Sequence, residues 1–417
     1  MDTIWILDHH ASEPQHGGII RHYDFALELA NKGINVVVIT SSYSHFSQKY
    51  LFQEQYKVVN IKENVHFIYL RTKPSYVGNS AKRFVNMASY VGLVKKYRNL
   101  IAKEVGEPNA VMGCSIHPLA WIAAYRCSKK FNAKFFIEVR DFWPDFFIKL
   151  GIFPKWHPVV IFFSLLEKWA YKRAEKIITS LPFAYRYISD ELGFPKEKVV
   201  WIGQPMDCER FDNYAETKIE LLPNDIVEYI ESSFVCTFAG YYKEYEGVLT
   251  MLKAAKILKD RNIPIKFLFV GSGSERETME EYVIENNLTN VYISSRINKE
   301  AIPSLLKKSE IKIAALSVST DNAFYYGISK NKLNEYLYSG GCTIFGFTHK
   351  GSAVELSNGG FVVEPNNEEI LAEKIIEVYQ MSQEMYEELS VNGRSYIKNH
   401  HGVDILAEKL REVLLSN

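Results

Sequence analysis

The chain has 417 residues, 47% hydrophobic and 24% charged, with 49 Lys+Arg balancing 49 Asp+Glu. This composition excludes a disordered or fibrous chain, and the length exceeds what one hydrophobic core serves, so two globular domains are expected. Five widely spaced cysteines (114, 127, 208, 236 and 342) with no C-x-x-C pair exclude a disulfide framework and a thiolate metal site.

Ile4 to Leu7 reads as a buried strand. The loop His9-His10-Ala11-Ser12-Glu13-Pro14-Gln15-His16-Gly17-Gly18 follows, then an amphipathic helix from Ile19 to Lys32 and a strand from Val36 to Ile39. Strand, Gly-containing loop, helix and strand open a doubly wound parallel sheet, whose ligands lie at the carboxyl ends of the strands; Gly17 and Gly18 fall at that edge. A plain turn needing two glycines would look the same. Short strands are expected at Tyr56 to Ile61 and Val65 to Leu70, and a long basic helix at Ala81 to Glu104. Alternation continues with strand Ala110 to Gly113, helix Pro118 to Lys130, strands Lys134 to Val139 and Lys176 to Ser180, helix Pro182 to Leu192 and strand Val199 to Ile202.

Gly203 to Asp207 reads as a linker, and charge changes sign there: residues 1–205 hold 27 Lys+Arg and 17 Asp+Glu, the remainder 22 and 32. A second series follows, with strands at Phe234 to Ala239, Ile265 to Val270, Val291 to Ser294, Ile311 to Ala315, Cys342 to Phe347 and Gly360 to Val363. Helices are expected between them at Tyr245 to Asp260, Glu275 to Asn287 and Lys299 to Ser309. The expected domains are 1–203, 204–390 and a helical tail 391–417 packing toward the first, giving an α/β protein of two doubly wound Rossmann-like domains facing across a cleft.

The stretch Gly327 to Gly341 reads as a tight turn opening a helix near Lys330. Ser329 is placed to cap it, Leu333, Tyr336 and Leu337 share one face, and Gly340 and Gly341 end it. A helix start behind a glycine suits a phosphate, Lys332 adds a charge there, and Glu335 can accept two hydrogen bonds from a ribose diol. A capped surface helix with a solvated Lys and Glu is the alternative. Gly271-Ser272-Gly273 lacks the third glycine of a dinucleotide fingerprint, because Arg276 stands there. No H-E-x-x-H motif or Cys/His cluster is present, so neither metal nor other cofactor is expected; His9, His10 and His16 form a local histidine group before the paired glycines.

A series of short pieces carries a resemblance. They are His9-His10, Gly17-Gly18, Arg21-His22-Tyr23-Asp24, Tyr76 with Gly78-Asn79, Arg83, Asn86-Met87, Ser115 with His117-Pro118, Glu138-Val139-Arg140-Asp141 with Trp143-Pro144, Gly240 with Gly247, Gly271 with Gly273, Ser295-Arg296-Ile297, and Gly327-Ile328-Ser329 with Asn331-Lys332-Leu333 and Glu335-Tyr336. In this order they resemble the retaining GT-B glycosyltransferases of family 4, over nearly the whole chain, and most of all the fucosamine-transferase-like subgroup of bacterial surface-polysaccharide enzymes. The resemblance implies a nucleotide-sugar donor, with a UDP-sugar favoured, and a glycan or polyprenyl-linked acceptor in O-antigen or capsule synthesis. It implies no nucleic-acid partner.

By that resemblance Glu335 binds ribose, Ser329, Asn331 and Lys332 face the diphosphate, and Arg296 and Ile297 edge the base. Gly17, Gly18, Gly240, Tyr241, Lys243, Gly271 and Gly327 complete the donor side. The first acidic residue of the family's E-x7-E motif falls on Gly327, and its Arg and Lys after the first strand of this domain fall on Tyr241 and Glu246. The missing charge then has to come from Lys332, Lys243, Arg140 or Arg296. Asp141, His117, Arg140 and Lys332 are the expected catalytic residues; His9, His10, Arg21, Asn79, Arg83, Glu138 and Trp143 are expected on the acceptor side. A catalytically silent nucleotide-sugar-binding module and a sugar-nucleotide epimerase remain alternatives.

Phe142 to Lys176 mixes aromatic and basic residues, which suits an interfacial helix on anionic lipid, although core aromatics beside solvated lysines would read alike. No basic region precedes Ile4, and the longest apolar run, Val159 to Phe163, is far below the ~18 residues of a membrane span. A cytoplasmic protein, peripheral at the inner face of the membrane, is the expectation.

Overall fold

The computed structural model describes every residue except 79, 150, 232, 318–323 and 417. It divides into two compact units, Met1–Pro205 with Val403–Asn417, and Met206–Gly402. The junction therefore falls two residues beyond the expected one, and the expected tail 391–417 is divided between the units. Its first part continues the helix Gln383–His401, whose Gly393 packs so closely on Gly359 that a Cβ on Gly359 would lie 2.5 Å from the Gly393 Cα. Gly402 then breaks the helix at φ −51°, ψ 134°. The last helix, Val403–Leu415, sends Leu406, Ala407, Leu410 and Leu414 at helical spacing into the core of the first unit.

The first unit contains β1 (Thr3–Leu7), β2 (Asn35–Ser41), a small pair β3 (Tyr43–Ser44) and β4 (Lys49–Tyr50), β5 (Tyr56–Lys62), β6 (Val65–Leu70), β7 (Ala110–Cys114), β8 (Lys134–Val139), β9 (Ile177–Thr179) and β10 (Val199–Trp201). The main sheet has the order β10-β9-β8-β7-β1-β2-β6-β5, parallel except for the edge strand β5, which runs antiparallel to β6. Buried on both faces, β1 is a continuous apolar run after Thr3, as parallel strands are. Strand order reverses between β1 and β7, which places the loops after these two strands side by side at a switch point. The expected helix Pro182 to Leu192 is instead a π-helix over Arg186–Glu191.

The second unit contains β11 (Phe234–Tyr241), β12 (Ile265–Ser272), β13 (Val291–Ser294), β14 (Ile311–Ala315), β15 (Cys342–Gly346) and β16 (Gly360–Val363), all parallel in the order β13-β12-β11-β14-β15-β16. Its switch point lies between β11 and β14. Residues 208–231, unassigned from sequence, form the helices Cys208–Thr217 and Asn224–Glu231. Both are short; the first buries only Phe211, and its start is fixed by Asp207, whose carboxylate accepts from the Arg210 amide at 2.8 Å, while the second buries Ile226 and Ile230 at helical spacing.

Candidate active site

At the switch point of the first unit a group of polar side chains is buried: Asp8, His9, His10, Arg21, His22, His117 and Glu138. Arg21 Nε donates to Glu138 Oε1 at 2.8 Å, and its two terminal nitrogens donate to the carbonyls of Gly203 (2.5 Å) and Ile202 (2.9 Å). His22 bridges Asp8 Oδ2 (2.7 Å) and Glu138 Oε2 (3.1 Å). Burial alone would depress the His22 pKa, but Cys114, Glu138 and Asp8 outweigh it and hold this imidazole well above the usual histidine value. Burial raises the Glu138 pKa, while Arg21 and His22 pull it far below the ordinary carboxylate range.

Two cations and two carboxylates thus form a closed network that ties the chain at 202–203 to the helix Arg21–Asn31. Arg21 and Glu138, expected on the acceptor side, are turned into the interior and used up in this network. Trp143 is likewise a core residue, with ring centroids 4.7 Å from Phe147 and 5.2 Å from Phe163. Asn79 lies outside the described residues.

His9 and His117 are brought together. His9 Nδ1 lies 2.6 Å from His117 Nε2, the His9 ring stacks on Tyr90 at 4.6 Å, and His10 packs 4.6 Å from His9. Burial holds all three well below the ordinary histidine pKa, with Arg83, half-buried nearby, adding to the effect. Burial thus favours their neutral form. His9 Nε2, both nitrogens of His10 and His117 Nδ1 have no hydrogen-bond partner among the described residues, so four ring nitrogens remain to donate or accept. Arg140 is held by its amide, which donates to Ser115 Oγ at 3.0 Å, while its Nη1 is buried without a partner among the described residues. Asp141 beside it is open to solvent yet ringed by protein, which pushes its pKa up while Arg140 pulls it down. Gly17 and Gly18 adopt φ 67° and 89°, and a Cβ on Gly18 would lie 2.7 Å from the Phe46 ring, so glycine is required there.

Among the described residues one group could hold a metal, His22, Cys114 and Glu138, with ligating atoms within 4.8 Å of one another. These atoms already serve the ion network. His16 lies apart from His9 and His10, 3.9 Å from Glu13 and packed on Phe52.

In the second unit the expected helix spans Asn331–Tyr338. Its N-cap position is Lys330, and no side chain caps it, so Ser329 stands one residue too early for the capping role expected of it. The Leu333 amide donates to the Lys330 carbonyl at 3.2 Å, while among the described residues the amides of Asn331 and Lys332 are left for another acceptor. Tyr336 OH accepts from the Ala239 amide at 2.8 Å and donates to its carbonyl at 3.0 Å, fixing the helix against β11. Glu246, where the resemblance implies a lysine, is buried and holds two lysines: Lys330 Nζ at 2.9 Å from Oε1 and Lys332 Nζ at 2.7 Å from Oε2. Burial raises the Glu246 pKa, but Lys332 and Lys330 bring it below the ordinary value. Burial lowers Lys330 to about 8 despite Glu246. Two ammonium groups against one carboxylate leave a net positive charge at an uncapped helix start, the physical requirement for an anion site.

Glycines make that approach possible. A Cβ on Gly240 would sit 2.8 Å from Lys332 Nζ, and one on Gly271 only 1.8 Å from the Gly240 carbonyl oxygen. Tyr241 is half exposed, with the Arg296 guanidinium 4.9 Å and the Lys243 ammonium 5.8 Å from its ring centre. Ile297 packs partly into a small core with Leu222 and Leu305, and Gly327 turns the chain at φ 98°. Glu335 is half-buried with no hydrogen-bond partner among the described residues; burial raises its pKa, and Lys299, Arg210 and Lys332 oppose the rise. Arg210, Lys299, Lys330 and Glu246 were not in the expected set. Arg210 sits on a helix the periodicity missed, and Glu246 reads in sequence only as a lost lysine.

Sequence comparison matches residues 17–210 to the family "Glycosyltransferase Family 4" and residues 227–396 to "Glycosyl transferases group 1". The chain belongs to the GT-B glycosyltransferases. Among similar proteins, the putative colanic acid biosynthesis glycosyl transferase WcaI of Escherichia coli (strain K12) is 22% identical over 311 residues, 73% of either chain. Among solved structures, this GT-B chain is similar in fold to sucrose-phosphate synthase from Thermosynechococcus elongatus (TM-score 0.71, 16% identity, covering 98% of this chain and 97% of that one). It is also similar to Anabaena Alr3699/HepE in complex with UDP and glucose (TM-score 0.65, 15% identity, 99% of both).

Proposed function

We propose that this glycosyltransferase takes a hexosyl or N-acetylhexosaminyl group from a nucleotide-sugar, UDP-linked by preference, and passes it with retention to a glycan or polyprenyl-linked acceptor of a bacterial surface polysaccharide. The observation that carries this reading is the uncapped start of the helix Asn331–Tyr338, flanked by Lys330 and Lys332 and followed one turn later by the unpartnered carboxylate of Glu335. UDP bound in HepE and the colanic acid role in the name of WcaI support the donor and the pathway class.

The chemistry fits the parts. Breaking the bond between sugar and phosphate develops negative charge on the departing diphosphate and cationic character on the sugar, so donors already aimed at the diphosphate lower the barrier. Lys332, Lys330 and the first-turn amides supply that field, and for this reason the reaction is proposed to be metal-independent. Glu335 accepts from the ribose hydroxyls. In the first unit the open nitrogens of His9, His10 and His117 are suited to sugar hydroxyls, and Arg140, whose amide is held by Ser115, and Asp141 beside it to the reacting groups. The protein works on the cytoplasmic side, at the membrane that carries a lipid-linked acceptor.

Incubation with a panel of UDP-, GDP- and dTDP-sugars and membrane lipid extract, with and without excess EDTA, tests this. The expected result is nucleotide release that depends on acceptor, persists in EDTA and gives a product with the donor's anomeric configuration. Donor consumption without acceptor would assign an epimerase, and binding without turnover a silent module.

A further inference from the structure

The helix Pro158–Arg173 has two apolar faces. One packs inward through Val160, Phe163, Leu166 and Ala170. The other carries Ile161, Phe162 and Leu165, adjacent on a helical surface and all exposed, Leu165 to 65%. Single exposed hydrophobics are ordinary, but these are continuous with others. Trp156, 75% exposed, lies in the turn before the helix, and Phe84 from the helix Ala81–Val105 reaches Phe163 at 6.4 Å while itself exposed. Beneath them a small aromatic core of Trp143, Phe147 and Phe163 holds the helix in place, so the face is presented on a firm support.

Charge decides the occupant. Residues 149–173 contain five Lys or Arg and one acid, Glu167. Glu167 is buried between the hydroxyls of Tyr171 (2.8 Å) and Tyr187 (2.9 Å), and burial raises its pKa to about 8, so it is mostly uncharged at neutral pH. Lys155, Lys168 and Lys172 form no salt bridge among the described residues; they flank the apolar stripe at its two ends. An apolar stripe bordered by unpaired lysines matches an anionic bilayer, whose acyl boundary receives Leu and Phe while its headgroups meet the ammonium groups.

The structure assigns the outer face of the helix Pro158–Arg173, extended by Trp156 and Phe84, as a docking surface for anionic phospholipid. It gives the membrane contact of the proposed function its residues, but its test does not depend on transfer activity. The full-length protein is sedimented with vesicles of equimolar phosphatidylcholine and phosphatidylglycerol, and with phosphatidylcholine alone. Wild type is expected to pellet with the anionic vesicles at low salt and to be released as salt rises, since screening acts over ~10 Å at 0.1 M. The exposed pair Phe162→Ser with Leu165→Ser should weaken partition at least roughly tenfold with no change in melting temperature or in affinity for UDP. Lys168→Gln with Lys172→Gln should weaken it and flatten its salt dependence. Equal indifference of wild type to both vesicle types overturns the assignment, as does a serine pair that pellets like wild type. A wild-type dimer that the serine pair dissociates, with no vesicle binding, would give this face to a second copy instead.

Discussion

Replacing Lys332 by methionine separates what this lysine does for the fold from what it does for the reaction. Its ammonium lies 2.7 Å from Glu246 Oε2 and 4.5 Å above the Phe238 ring, and its side chain is 17% exposed against 8% for Glu246. Methionine keeps the stem and removes the charge. Glu246 retains Lys330 at 2.9 Å, so it does not become an isolated buried carboxylate, and the cost to stability is on the order of 1–2 kcal/mol. In a unit of about 200 residues that lowers the melting temperature by roughly 2–8 °C. Turnover should fall much further, by about 10²–10³, the usual result of removing one preorganised donor from a developing oxyanion, while UDP affinity changes less. Adding Glu246→Gln leaves the buried Lys330 without its carboxylate, so Lys332→Met/Glu246→Gln should lose further stability and regain none of the lost turnover. Melting curves and initial rates on the two variants decide it. Recovery of turnover in the double variant would show that Lys332 acts only by neutralising Glu246 and would refute the reasoning.

Lys330 gives a pH dependence with a definite sign. Its pKa in the free protein is about 8, below the usual lysine value, so it loses its charge as pH rises through that point; UDP affinity measured calorimetrically should weaken above about pH 8. Glu246→Gln, which removes the charge that supports the ammonium, should move this midpoint downward. Arg21→Ala should destabilise the protein by roughly 3–5 kcal/mol in urea unfolding, because it strips Glu138 of a buried cation and leaves the carbonyls of Ile202 and Gly203 without their donor. Arg21→Lys should recover little, since three diverging acceptors need the guanidinium fork.

The alternation of strands and helices was legible because parallel strands buried on both faces read as apolar runs: β1, β6 and β12 were found within two residues of their ends. The π-helix at Arg186–Glu191 was not, since over six residues its wider turn is too short a departure from the 3.6-residue period to be read from apolar spacing. The helix Asn331–Tyr338 was located from Leu333, Tyr336 and Leu337, and Tyr336 anchors it to β11. Pairings across the fold were beyond periodicity. Nothing at position 246 shows that its carboxylate meets lysines 84 and 86 residues away, and nothing in Arg21-His22 shows that both turn inward onto Glu138. A polar residue at the end of a strand or the start of a helix reads as a ligand contact, and here Glu138 and Arg21 are bound to each other.

The most direct measurement compares UDP with 2′-deoxy-UDP for wild type and Glu335→Ala by isothermal titration. If the open carboxylate of Glu335 accepts from the ribose, its removal costs UDP about 2–4 kcal/mol of binding. Wild type should then prefer UDP at least about tenfold, each 1.4 kcal/mol being a factor of ten. Glu335→Ala should bind both nucleotides equally weakly, with its melting temperature unchanged. An alanine variant that binds UDP as wild type does, or keeps the same preference, would contradict the placement of the nucleotide at the start of the helix Asn331–Tyr338.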